Sequence, residues 1–170
     1  MYRHYGTAEF TELAALLTRE TGTGLLVADL FGERSPARVR LDPSPEVHRT
    51  RLAALPGVRV VSDEGDRDRY RELLASAHFG VAPLRAGCPW SMSVIDCQAM
   101  GLPVIAPRTG WFAEHIDDEL LFDHFDDAIA IVRRLGLDGE FYRLHAKRAY
   151  AATASLTSSA VAATYWRAIS

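Results

Sequence analysis

The sequence predicts an α/β fold, a three-layer Rossmann-like domain with a mainly parallel sheet and extra helices at its C-terminal end. Three observations predict it. Short apolar runs alternate with segments of 3.6-residue periodicity through the first two-thirds of the chain, the pattern of strand and helix units around a parallel sheet. Runs such as Leu25-Leu26-Val27-Ala28 are apolar on both faces, as strands covered by helices on both sides must be. From about residue 124 onward only helical periodicity remains.

The elements follow in order. Thr7 can cap a helix whose apolar positions Phe10, Leu13, Ala14 and Leu17 keep the helical period, and Gly22 ends it. Leu25 to Ala28 is a strand. A loop containing Pro and Arg leads to Ser44-Pro45, a cap followed by proline at the first helical position, and a helix runs to about Leu55. Val58 to Val61 is the next strand. Asp66 or Asp68 opens a helix with Tyr70, Leu73, Leu74 and Ala77 on one face, and Phe79 to Pro83 is the strand after it. Ser91 to Met100 is a helix stopped by Gly101, Val104 to Ala106 a short strand, and Leu120 to Phe122 an edge strand. Asp126 to Leu135, Gly139 to Ala152 and Thr157 to Ile169 are three helices in succession. They form a C-terminal helical extension over about residues 124–170 of a single domain, 1–170.

Composition bounds the function. A chain of 170 residues that is 48% hydrophobic buries a core without disulfides or a metal. A net charge of −3 argues against general nucleic-acid binding, which needs a basic face to displace phosphate counterions. Cys88 and Cys97 fit neither a disulfide framework nor a paired-cysteine metal site, so they read as free thiols and the expected location is the cytoplasm. No apolar run approaches the ~20 residues of a membrane span. Arg143, Lys147 and Arg148 share a helix and would allow contact with an anionic membrane, but a solvated face accounts for them.

In a doubly wound sheet, ligands bind beyond the carboxyl ends of the strands, where loops run into helix N-termini. The loops after Pro83 and Ala106 are therefore the places to look. Ser91, Met92 and Ser93 place free amides and a helix dipole at the crevice, which suits a diphosphate. Asp96 lies one turn further, where a carboxylate can accept paired hydrogen bonds from vicinal hydroxyls such as those of a ribose. The plainer alternative is that Ser91 caps the helix and Asp96 complements its dipole. Gly22-Thr23-Gly24 precedes a strand and is no dinucleotide fingerprint. His115, Asp117, Asp118, Asp123, His124 and Asp127 are metal-ligand types, but their spacing fits no standard site and an acidic solvated loop explains them.

The stretch from Tyr70 to Ile116, YRELLASAHFGVAPLRAGCPWSMSVIDCQAMGLPVIAPRTGWFAEHI, resembles the C-terminal, nucleotide-sugar-binding domain of two-domain retaining glycosyltransferases of the glycosyltransferase family 4 type, one half of a GT-B fold. LLASAHFGVAP matches the family's helix, alanine-rich turn and strand ending in proline. Ala99 to Ile105 matches its small-residue helix and G-x-P-V, and Gly110 with Glu114 its glycine-containing loop with a glutamate. The likeness runs from about Gly57 to Ile116, and more loosely to the closing helix SLTSSAVAATYWRAI. The family's pair of acidic residues falls on Cys88 and Asp96. Asp96 keeps the charge of the second, which the resemblance implies binds the ribose. Cys88 replaces the first, a glutamate near the donor sugar implicated in catalysis, so no catalytic residue is assigned and weight moves to the backbone around Pro89 and Trp90.

The resemblance also implies that two cations hold the diphosphate near the N-terminus. Tyr5-Gly6 stands in place of the family's Lys-Gly, leaving Arg3, His4 and Arg85 as the candidate cations. The loop at Ser62-Asp63 and the loop Thr109-Gly110-Trp111 would complete the pocket. The family's first strand, the middle of a 3-2-1-4-5-6 sheet, has no counterpart in the sequence, so the chain is expected to be a fragment of a longer protein, to be completed by another polypeptide, or to pack its sheet differently. The resemblance implies a nucleotide-sugar donor, no metal or other cofactor, and an acceptor-binding N-terminal domain or partner chain. The competing reading is a non-catalytic, degenerate nucleotide-sugar module used for binding or assembly, with Cys88 as the sign of lost catalysis.

Overall fold

The structure, a computed structural model, describes residues 6–28, 40, 44–85 and 90–169. In chain order the elements are α1 (Thr7–Thr21), β1 (Leu25–Ala28), α2 (Ser44–Ala53), β2 (Val58–Val61), α3 (Arg67–Ala75), β3 (Gly80–Val81), α4 (Met92–Ala99), β4 (Val104–Pro107), α5 (Gly110–His115), β5 (Leu121–Phe122), α6 (Phe125–Leu137), α7 (Gly139–Ala152) and α8 (Ser158–Ile169). The alternating α/β order and the closing helices are as expected. One element differs: the segment read as a loop at Thr109-Gly110-Trp111 enters a short helix at Gly110.

Side-chain caps start several of the helices, α3 and α7 among them. Asp66 accepts from the amides of Asp68 (2.8 Å) and Arg69 (3.2 Å) at α3, and Asp138 from Glu140 and Phe141, both at 3.0 Å, at α7. Gly6 precedes α1 with φ +67°, and a Cβ there would lie 2.0 Å from the Leu84 carbonyl oxygen. Only glycine fits so close to another backbone, and the contact seats the start of α1 against the loop after β3.

Every strand pairing is parallel, but the strands form two sheets, β1-β2 and β3-β4-β5. Leu25 lies opposite Val58, Gly80 opposite Val104 and Ala106 opposite Leu121. The single sheet expected from the alternation is thus met in strand direction and not in continuity. Among the described residues no strand lies between β1 and β3, so each keeps one edge without a neighbour.

The core collects around β4 and β5. Val104, Ile105 and Ala106 are buried between Leu13, Ala14 and Leu17 of α1, Phe112 of α5, and Ala128, Ile129, Val132 and Leu135 of α6. Each large apolar side chain so buried stabilises the fold by about 1.5–3 kcal/mol. α1 packs on α6, and α7 on α4 and α6. No described helix is long and apolar enough to cross a membrane.

Candidate functional site

α4 begins where the loop after β3 returns to the sheet. Ser91 stands at its N-cap in an extended conformation, yet its side chain does not cap the helix. The Ser91 hydroxyl, 8% exposed, instead lies 3.0 Å from the Ser93 hydroxyl. The plainer alternative for Ser91, a capping role, is therefore set aside. The amides of the first turn, Met92 to Val94, keep no side-chain partner from Ser91, and their partial positive charge faces outward. Trp90 and Met92 flank this turn and are more than half exposed.

Asp96 lies one turn into α4. Its Oδ2 accepts a hydrogen bond from the Tyr70 hydroxyl at 3.0 Å. Tyr70 belongs to α3, where periodicity placed it on the apolar face, and its tip reaches past that face to the carboxylate. Burial, and next the charge of Asp96, hold the Tyr70 phenol well above its ordinary range, with Asp63 adding to the effect. The phenol is therefore a neutral donor at any physiological pH. The end of β2, α3 and α4 converge on this group. Reading the sequence missed Tyr70; the available signal was a phenol on an otherwise aliphatic stripe, since a buried tyrosine hydroxyl needs a partner.

The other expected site residues divide. Asp63 Oδ1 accepts from the Gly65 amide and Ser62 Oγ from the Glu64 amide, both at 3.1 Å, so these side chains hold the turn after β2. Arg85 is half-buried in the loop after β3. Gly110 opens α5, and Trp111 packs partly into the core and stacks on His115 with ring centroids 4.4 Å apart. Glu114 is exposed on the same helix. Gln98 ties α4 to the end of α5 by donating to the His115 carbonyl at 3.2 Å. Arg3, His4, Tyr5, Cys88 and Pro89 lie outside the described residues. Cys97 is a free thiol whose pKa burial, aided by the Asp96 charge, pushes up to about 11, which makes it a packing group rather than a nucleophile.

The acidic segment is largely solvent-exposed, as expected, and it also carries a network of ion pairs. Arg108 bridges Asp118 and Asp123, and Arg148 of α7 pairs with Asp117 at 2.6 Å. The buried His145 ring has Nδ1 3.3 Å from Asp117 and Nε2 3.5 Å from Glu119, in ion-pair range although out of line for hydrogen bonds. Asp117, Glu119 and His145 are close enough to share an ion, but the guanidinium of Arg148 already sits against Asp117. The network ties the turn before β5 to α7, so Arg148 is not part of a free basic face.

At the strand ends of this parallel α/β domain, an uncapped helix N-terminus thus lies one turn before a positioned carboxylate, the kind of place where open α/β sheets receive ligands. Residues 30–136 match the family model of glycosyl transferases group 1, and the chain belongs to that family. No curated protein matches the chain. Among solved structures it is similar to the C-terminal domain of a glycosyl transferase group 1 family protein (LpcC) from Francisella tularensis, with TM-score 0.64, 17% identity, and 91% of this chain and 80% of that one covered. At that identity the likeness shows the fold, that of a GT-B C-terminal domain.

Proposed function

We propose that this chain is the donor domain of a retaining glycosyltransferase, binding a nucleotide-diphosphate sugar for transfer to an acceptor held by an N-terminal domain or partner chain. The observation that carries the reading is the Tyr70 to Asp96 hydrogen bond, which holds a carboxylate one turn inside a helix whose first amides Ser91 does not cap. The amides of Met92 to Val94 take the diphosphate, with Ser93 and Arg85 beside them. Asp96 Oδ1, left open while Oδ2 receives Tyr70, accepts from a ribose hydroxyl. Trp90 offers an exposed ring for stacking on base or sugar.

As the bond to the sugar stretches, negative charge gathers on the departing diphosphate. The helix dipole and fixed amides stabilise that charge more than they stabilise the bound donor, which is the condition for lowering a barrier. No metal is needed for this step. With Cys88 in place of the family's glutamate, the chain by itself is expected to bind donor weakly and to catalyse little.

Calorimetric titration with UDP, GDP and ADP sugars tests the reading. One of the three is expected to bind, and Asp96→Ala to weaken it about tenfold or more while the melting temperature holds. Failure of all three to bind the folded protein would sink the donor-site reading. Preference for AMP or a dinucleotide would point to an unrelated nucleotide domain.

A further inference from the structure

Where the turn before β5 packs on α7, three side chains of metal-ligating type meet outside the donor site. Asp117 and Glu119 belong to the turn, and His145 to the buried face of α7. One donor atom from each lies within 4.8 Å of the other two. Two carboxylates alone would be a solvated acidic pair; the histidine sets this cluster apart.

The His145 side chain is 0% exposed, and neither ring nitrogen has a hydrogen-bond partner among the described residues. Buried polar groups are nearly always satisfied. Phe141 packs edge-on against the ring, with centroids 4.1 Å apart, while Nδ1 stands 3.3 Å from Asp117 Oδ2 and Nε2 3.5 Å from Glu119 Oε2. One nitrogen of a neutral imidazole is an acceptor, and here either nitrogen faces a carboxylate, which is an acceptor too. A proton would add charge attraction alone, since neither nitrogen makes a hydrogen bond.

The guanidiniums beside the cluster do not resolve this conflict. Arg148 Nη1 is 2.6 Å from Asp117 Oδ2 and 3.9 Å from Glu119 Oε2, and Arg134 Nη1 is 3.1 Å from Glu119 Oε1. Both serve the carboxylates, and neither bonds the ring. Arg148 nevertheless marks the place where the carboxylates hold a cation, and with its side chain 51% exposed it can leave for solvent without burying a charge. A divalent ion in that place takes the imidazole lone pair and both carboxylates together. Ligands about 2.0–2.2 Å from a tetrahedral ion stand roughly 3.3–3.6 Å apart, the separation that His145 Nδ1 and Asp117 Oδ2 already have. Glu119, half-exposed, reaches the same ion by side-chain rotation.

We infer that Asp117, Glu119 and His145 form a binding site for a divalent transition-metal ion of the zinc class, which displaces Arg148 and fastens the turn before β5 to α7. The imidazole favours such ions over Mg2+ and Ca2+, which take oxygen ligands. None of the three residues is among those proposed to touch the donor, so metal binding and donor binding are gained or lost independently.

The test is calorimetric titration of the chain with Zn2+ at about pH 7.5, with Mg2+ as the control and NMR of the histidine rings as the site-specific readout. One Zn2+ per chain is expected to bind, at least about tenfold tighter than Mg2+, with the His145 ring resonances shifting to saturation. Arg148→Ala removes the competing guanidinium and should tighten Zn2+ binding about tenfold, whereas His145→Gln should weaken it about tenfold or more. Glu119→Gln changes an exposed side chain and carries the same expected loss if His145→Gln does not fold. Failure of Zn2+ to bind would overturn the inference, as would binding that does not tighten in Arg148→Ala or that matches Mg2+ in affinity. Binding that leaves the His145 ring unmoved, or that Glu119→Gln does not weaken, would mean an adventitious ion only and overturn it too.

Discussion

The half-sheet β3-β4-β5 and the half-sheet β1-β2 are built from similar apolar runs and are buried to different depths. In the first, Val104, Ile105, Ala106, Leu121 and Phe122 are all buried, with α6 closed over them through Ala128, Ile129, Val132 and Leu135. In the second, Leu25 and Val27 are buried, no residue of β2 is, and α3 buries nothing. The helices differ in their own sequences, α3 (RDRYRELLA) being far more charged than α6 (FDDAIAIVRRLGL), and also in what lies beneath them. α6 lies over β4 and β5, whereas α3 borders the open space beside β1 and β3.

Truncations on the two sides should differ most. Phe112→Ala, in the closed half, is expected to destabilise by about 3–5 kcal/mol in chemical denaturation, because its site is fully packed. Leu74→Ala, at the open half, should cost less, about 1 kcal/mol, since that side chain is only partly buried. Equal costs would remove the distinction. Tyr70→Phe breaks the tie between α3 and α4 and should cost about 1 kcal/mol, together with a measurable fall in donor affinity. A stability loss with unchanged donor affinity would make Tyr70 a packing residue only.

The smallest effect is on pH. The Asp117 carboxyl is held below its ordinary value although burial alone would raise it, because the Arg148 hydrogen bond, the Glu119 amide and the His145 charge outweigh burial. Backbone amides at Arg69 and Phe141 lower Asp66 and Asp138 in the same direction. Depressed folded-state values mean stability that is present above the unfolded pKa of about 3.9 and is lost as pH falls through the folded values. Thermal midpoints should be flat above about pH 5 and drop below about pH 4, with Asp117→Asn flattening the drop. A midpoint that falls already between pH 7 and 5 would contradict this account.

Much of this was legible in the sequence because it is local. Periodicity located the strands and the longer helices, and the turn residues Gly22 and Gly101 marked helix ends that the backbone confirms with positive φ. The family was legible in the order of motifs from Leu73 to Glu114. What escaped is long-range. The Tyr70 hydroxyl meets Asp96 twenty-six positions away, and Arg148 meets Asp117 thirty-one positions away, pairings that no local spacing encodes. The helix at Gly110–His115 was read as loop because glycine at a helix start looks like a loop residue, and here Gly110 itself keeps φ +51°. The side chains at Ser62-Asp63, expected beside the ligand, also hold their own turn, a local role that the sequence reading did not give them.

The central claim is that a nucleotide-diphosphate sugar sits on the first turn of α4 with Asp96 beside it. Backbone and aromatic NMR shifts recorded during titration with the best-binding donor test this most directly. The account predicts saturable shifts at the amides of Met92, Ser93 and Val94 and in the Tyr70 ring. A silent α4 at saturating donor would contradict it.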